Sequence, residues 1–299
     1  MATPRYHSPR PAGPPARGTT QHAQAPGIPA RLTRTAANRD PIVIHLTVIG
    51  AGPAYSDRPG SAGACYLVEA GGQSLVLDLG HGAFSGLVRR VEPVDLQGVL
   101  ISHLHPDHFI DLVPLRHYLR YQRVPAERIR VIAPKALPDR LDGLHGTREF
   151  CRASLDIEAL APGLIQVGGL TVQAARVVHD EDSYAFRVSV GNGANGRGPS
   201  GPGLVYSGDC GRTDDLRPLI QPGDTLLSEV SFGAGPTDPN AAHLDGPMVG
   251  RLAKATGVAR VLLTHLLMGC DPGATIASVK SHFDGPVALV EPGFETSIE

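Results

Sequence analysis

The chain has 299 residues, enough for one large domain or two small ones. Apolar residues make up 41%, which allows a substantial core, and no run approaches the roughly 18 uninterrupted apolar residues of a membrane span. The formal net charge of −2 is uneven: residues 1–40 hold six Arg and one acid, Asp40, and the remainder carries 21 basic against 28 acidic residues, net −7, a poor match for wrapping nucleic acid.

Residues 1–40 are rich in Pro, Arg, Ala, Gly and Thr without apolar periodicity, and read as a disordered tail. The tail lacks the apolar core of a secretory signal; an organelle transit peptide or a start codon chosen too far upstream would look the same. Residues 41–299 read as one catalytic domain. The four cysteines, Cys65, Cys151, Cys210 and Cys270, form no C-x-x-C pair, which fits free thiols in a reducing cytoplasm.

The first predicted strand, 42–50, ends in a Gly-rich loop. Residues 64–70 and 74–79 read as a hairpin across Gly71-Gly72, and 84–91 as a short helix. A buried-type strand at 98–102 runs into a His cluster, followed by a helix at 107–121 that Pro114 should kink or divide. Further strands are predicted at 128–133, 170–178, 183–190, 204–207, 225–230 and 259–264, and helices at 214–220, 241–256 and 274–283. Residues 191–203 read as a flexible Gly-rich loop. Two runs of strands, each followed by helices, predict two sheets face to face with helices outside.

The cluster His103-x-His105-x-Asp107-His108 dominates the chemistry. A chance match to this pattern is on the order of one in a thousand. A strand delivers His103 and His105 on the same side, and Pro106 stiffens the turn, so that Asp107 and His108 open a helix pointing back toward the strand ends. Imidazole and carboxylate donors suit zinc, iron or manganese. Further donors stand at later strand ends: His179, Asp209 and His265. Each alone reads as an ordinary structural or surface residue; the three together do not. Asp78 follows a buried strand and is a candidate support for the His cluster. His81, His117, His145 and His282 match no metal position, and Cys210 reads as structural.

The pieces SHLHPDH, VVHDEDSYAFRV, YSGD and LLTH resemble, in order, the metallo-β-lactamase superfamily. Within it, LISHLHPDHFIDLVPLRHYLRY, HLDGPMVGRLAKATGVARVLLTHL and SHFDGPVALV resemble the ribonuclease Z-like and atypical class II cyclic-nucleotide phosphodiesterase-like branch. The resemblance runs from about Ile42 to the C-terminus and implies an α/β fold, the metallo-β-lactamase four-layer αββα sandwich of two mixed sheets with outer helices. It implies two divalent metal ions, zinc first, with manganese or iron as alternatives. His103, His105 and His179 would hold one, Asp107, His108 and His265 the other, and Asp209 would bridge both. Leu227-Ser228-Glu229-Val230-Ser231-Phe232 resembles the branch's His-Glu-Ala-Thr-Phe motif, and His243 the histidine near the next helix start; together Glu229 and His243 would form a proton relay.

The implied reaction is attack of a metal-bridging hydroxide, oriented by Asp107 and Asp209, on a small phosphodiester such as a cyclic nucleotide. Ribonuclease Z-type tRNA processing, with RNA as partner, and thioester, lactone or lactam hydrolysis are the alternatives. A homodimer is implied by the resemblance; no membrane association is expected, and the location expected is cytoplasmic.

Overall fold

The structure, a computed structural model, describes residues 42–123, 126–191, 201–238 and 241–299. The predicted tail at 1–40 and most of the predicted loop at 191–203 lie outside the described residues.

Six strands of the N-terminal half are β1 (Ile44–Gly50), β2 (Cys65–Ala70), β3 (Gln73–Leu77), β4 (Gly98–Leu100), β5 (Ile129–Ala133) and β6 (Leu155–Ala159). The second half supplies β7 (Gly163–Val167), β8 (Leu170–Val177), β9 (Ser183–Val190), β10 (Leu204–Tyr206), β11 (Thr225–Glu229), β12 (Arg260–Thr264), β13 (Val287–Leu289) and β14 (Glu295–Ile298). They form two seven-stranded mixed sheets, ordered β14-β1-β2-β3-β4-β5-β6 and β13-β12-β11-β10-β9-β8-β7. Helices are α1 (Phe84–Leu87), α2 (Pro106–Phe109), α3 (Leu112–His117), α4 (Leu137–His145), α5 (Thr213–Leu216), α6 (Gly246–Thr256) and α7 (Pro272–Lys280).

The period-two alternation of the strands builds three apolar layers. In β1, Ile44, Leu46 and Val48 face the space between the sheets, while Ile49 faces outward. In β2, Tyr66 and Val68 point inward and Cys65 and Leu67 outward. The second sheet sends Tyr184, Phe186, Tyr206, Leu227 and Leu262 into the same inner layer. Outer layers bury α1, α3 and α4 against the first sheet and α5, α6 and α7 against the second. The predicted four-layer αββα sandwich is the observed architecture. No helix among the described residues is long and apolar enough to cross a membrane.

Two predicted helices differ in ways that matter for the site. The helix expected at 107–121 is divided, but not at Pro114: α2 ends before Ile110, and Pro114 lies in the first turn of α3, where its missing N–H is no loss. The break falls at Asp111, whose N–H donates to Leu79 O and whose carboxylate accepts from Phe84 N at 2.8 Å, tying the junction to the first sheet. The helix expected from 241 begins five residues later. Asp245 is the N-cap, accepting from Met248 N at 2.9 Å through one oxygen and from Thr237 N at 2.9 Å through the other. Residues 241–245 therefore stay outside the helix, and His243 sits in a loop.

The parallel strands β3, β4, β10, β11, β12 and β13 end at one edge of the sandwich, and the loops that leave them carry the candidate site.

Candidate metal centre

The segment 103–109 is seated on the first sheet by backbone contacts, one of its approaches depending on a glycine. Ala64 N donates to Asp107 O at 2.9 Å and Leu79 N to His108 O at 2.7 Å. A Cβ at Gly80 would lie 1.9 Å from Asp107 O, so a side chain there would displace the segment. On the second sheet, Gly208 takes φ +56° in the turn that presents Asp209, and a Cβ there would lie 2.6 Å from Tyr184 O. Two non-glycine residues at the site also adopt left-handed φ, Asp78 at 58° and His265 at 56°. His265 is held so by its N–H, which donates to Ala51 O at 2.9 Å. Such conformations persist where surrounding bonds over-determine them.

Seven side chains predicted from the sequence are brought together around the Asp209 carboxylate. Its oxygens lie 3.4 Å from His108 Nε2, 3.5 Å from His265 Nε2, 3.8 Å from His103 Nε2 and 4.0 Å from His179 Nε2. Asp107 Oδ2 is 3.1 Å from His265 Nε2 and 3.8 Å from His108 Nε2, and His105 Nδ1 is 3.2 Å from His179 Nε2. His103, His105, His179 and Asp209 form one group of donor atoms, and Asp107, His108 and His265 a second, each with its atoms within 4.8 Å of one another.

Outer partners explain why the Nε2 atoms converge. His103 Nδ1 lies 3.1 Å from Ser102 Oγ, His108 Nδ1 2.7 Å from Asp78 Oδ2, His179 Nδ1 2.9 Å from Ala242 O, and His265 Nδ1 3.0 Å from Ser231 Oγ. A proton on each Nδ1 satisfies these acceptors and leaves Nε2 as a bare lone pair. Those lone pairs then face one another: His108 Nε2 and His265 Nε2 are 3.3 Å apart. His103 Nε2 and Asp209 Oδ1 are buried without any hydrogen-bond partner. Facing lone pairs and orphaned buried acceptors are costly unless a cation sits between them, so the residues fit divalent metal ions.

The electrostatics show how strongly the centre attracts positive charge: burial works to lower the His108 imidazole, but the carboxylates of Asp209 and Asp78 overcome it and hold the ring well above its ordinary range. Burial pushes the His103 imidazole well below its ordinary range. Burial works to raise the Asp209 carboxyl, but the imidazoles of His265, His108 and His103 overcome it and hold the group well below the usual carboxylate range.

Beside the Asp209 carboxylate stands the predicted pair. His243 Nδ1 is 3.0 Å from Glu229 Oε1 and 3.9 Å from Asp209 Oδ2. Glu229 is buried, accepting from Cys210 N at 2.9 Å on Oε1 and from Ser231 N and Oγ at 3.1 and 2.6 Å on Oε2. Burial alone would lower the His243 imidazole; the hydrogen bond and charge of Glu229 raise it instead to about 9. The His243 side chain is 21% exposed against 6% for His265, so it is the one that faces solvent.

Sequence reasoning missed three hydroxyls. Ser231 Oγ donates to Glu229 and accepts from His265, linking the pair to the seven-residue group. Ser102 Oγ and Tyr206 OH both donate to Asp78 Oδ2 at 2.7 Å. Serine and tyrosine carry no spacing signal; only the three-dimensional register of β4, β10 and β11 reveals them. Of the residues set aside, His117 and His145 lie near Phe150, away from the centre.

Asp78 is central to this support, since it also accepts from Ser102 N at 2.6 Å. Asp78→Ala strands the Ser102, Tyr206 and His108 donors in the interior. It should destabilise the fold by about 3 kcal/mol and weaken metal affinity by roughly 10–100-fold. Thermal melting and a competitive zinc titration check both numbers; a variant equal to wild type in each would remove Asp78 from the role.

A family profile described as "Beta-lactamase superfamily domain" matches residues 76–266. An uncharacterised Mycobacterium leprae protein, ML1173, is 32% identical over 259 residues, covering 84% of this chain and 88% of that protein. The Bacillus subtilis protein YhfI, named a probable metallo-hydrolase, is 26% identical over 256 residues, 84% of this chain and 98% of its own. The YhfI crystal structure, titled a metallo-beta-lactamase fold protein, superposes with TM-score 0.73 over 86% of this chain and 99% of that one. Human tRNase Z, short form, shares the fold at TM-score 0.65 and 21% identity, covering 85% and 99%.

Proposed function

The chain belongs to the beta-lactamase superfamily and is a metal-dependent hydrolase, and from that premise we propose that it is a dinuclear phosphodiesterase acting on a small phosphodiester such as a cyclic nucleotide. In this reading His103, His105 and His179 hold one cation, Asp107, His108 and His265 the other, and Asp209 serves both. Zinc is the cation these imidazole-rich sets suit best. Such a pair of ions supplies Lewis acidity toward phosphoryl oxygens and brings the pKa of water toward neutrality.

The observation that carries the reading is the contact of His243 with Glu229 at 3.0 Å, next to the Asp209 carboxylate. An alkoxide leaving a phosphodiester needs a proton, whereas a thiolate leaving a thioester does not. A buried carboxylate that fixes the His243 ring and favours its protonated form is what the first reaction requires and the second has no use for. In the same reading Asp107, whose Oδ2 is 3.1 Å from His265 Nε2, would help to orient the attacking water.

The test is hydrolysis of bis(p-nitrophenyl) phosphate by protein loaded with Zn²⁺ or Mn²⁺, with loading measured independently. Turnover is expected with at least one metal. Confirmed loading with no turnover by either, alongside hydrolysis of acyl-thioesters or lactones, would transfer the function to that class. Cleavage of a tRNA precursor in preference to cyclic nucleotides would transfer it to the ribonuclease Z type.

A further inference from the structure

Residues 241–245, the loop that precedes α6, meet the candidate centre at two adjacent residues. Ala242 O lies 2.9 Å from His179 Nδ1, and the next side chain, His243, lies 3.0 Å from Glu229 Oε1. One short stretch of backbone thus touches a donor of the first group and carries half of the relay.

His179 stands between two acceptors. Its Nδ1 faces Ala242 O, and its Nε2 faces His105 Nδ1 at 3.2 Å. A neutral imidazole has one N–H and can satisfy only one of them. With the proton on Nε2, the bond to His105 forms and Ala242 O faces a bare lone pair. With the proton on Nδ1, Ala242 O is held and Nε2 is free to bind a cation. The ring form that takes metal is therefore the form that holds the loop.

The other end of the loop is fixed independently. Asp245 is buried, and its two oxygens accept from Met248 N and Thr237 N, each at 2.9 Å. Leu244 O accepts from Phe232 N at 3.1 Å, and Gly233 O accepts from Gly246 N at 2.8 Å. These bonds seat the loop on the segment that follows β11, whose last residue is Glu229. His243 lies between this anchor and the Ala242 bond, so its ring is placed from both sides.

We propose that loop 241–245 couples the first donor group to the relay: a cation held by His103, His105 and His179 sets His243 in place through the Ala242 carbonyl, with Asp245 as the positioning residue at the far end. The role of His243 rests on the phosphodiesterase reading; the coupling of metal to the loop does not. Coupling between two sites is reciprocal, so a loop that metal tightens must, when loosened, weaken metal by the same route.

The experiment follows amide hydrogen exchange of residues 241–248 in the full chain, zinc-loaded and chelated, together with zinc affinity by competitive titration. Zinc should slow exchange in the loop by about tenfold, and Asp245→Ala should weaken one of the two zinc affinities by about tenfold while sparing the other. Asp245→Asn, which keeps one acceptor oxygen for Met248 N, should fall between and carries the test if the alanine variant does not fold. His243→Ala keeps the Ala242 carbonyl and should match wild type in both measurements. Loop exchange indifferent to zinc, or unchanged zinc affinity in both Asp245 variants, would overturn the coupling. So would loss of the zinc effect in His243→Ala: Asp209, His243 and His265 also place donor atoms within 4.8 Å of one another, and the loop would then be held by direct ligation. Neither measurement uses a substrate. A loop that responds to zinc in protein that turns over no phosphodiester keeps the coupling and defeats the reaction; turnover with an indifferent loop does the reverse. In a working phosphodiesterase, Asp245→Asn should lower kcat on a cyclic nucleotide more than on bis(p-nitrophenyl) phosphate, and equal losses on both would overturn the positioning role of Asp245.

Discussion

Replacing Asp209 with alanine is expected to lower phosphodiester hydrolysis by at least about a thousandfold and to abolish the thermal stabilisation that zinc confers. The reason is positional. Four imidazole Nε2 atoms, from His103, His108, His179 and His265, lie within 4.0 Å of its carboxylate, two from each group of donors. Without the anion, two cations would share a pocket lined largely by neutral imidazoles. Wild-type protein at a zinc concentration a hundred times its Kd should gain about 2.7 kcal/mol of stability. The variant should gain little, and Asp209→Asn, which keeps the shape and removes the charge, should behave like alanine rather than like wild type. Retention of the zinc-dependent gain in both variants would take Asp209 out of the centre.

The second large effect concerns His243. His243→Ala should cost roughly 10²–10⁴ in kcat on a substrate that leaves as an alkoxide, such as a cyclic nucleotide. On bis(p-nitrophenyl) phosphate, whose leaving p-nitrophenolate is stable unprotonated, the loss should be far smaller. The Glu229 bond raises the His243 imidazole to about 9, so below that pH the ring carries the proton the alkoxide requires. Glu229→Gln removes the charge that favours this form and should follow the same leaving-group pattern with smaller magnitude. An equal loss on both substrates would mean that His243 binds or positions substrate rather than donating a proton.

The interior of the fold was legible in the sequence, and its edges were not. Strands β1, β2, β3, β8, β9, β11 and β12 carry dense apolar alternation and were predicted to within a few residues. The missed strands, β6, β7, β13 and β14, are the four edge strands of the two sheets. An edge strand has neighbours on one side only, so its burial is partial and its pattern fades: Leu155–Ala159 has one buried residue, and Gly163–Val167 likewise one. Helix α4 was missed because Asp139, Arg140, Asp142 and Gly143 dilute its apolar face to Leu137 and Leu141. For the site, His103 to His108 was legible because four donors fall in six residues, and His179, Asp209 and His265 because each closes a strand. Ser102, Tyr206 and Ser231 could not be read. Their roles depend on which hydroxyl a neighbouring strand brings within 3 Å, and that distance has no counterpart in local spacing.

The donors are split four and three across the sandwich. His103 and His105 come from the first sheet's loop and His179 and Asp209 from the second, while Asp107 and His108 face His265 across the same seam. Neither half of the chain holds a complete set, so occupancy of the centre would be coupled to docking of the two sheets at this end of the molecule. Metal bound there would work as a clasp: chelation should raise amide hydrogen exchange along the strand ends beside the seam while leaving each sheet's interior protected, and two separately produced halves should recover metal affinity only when mixed.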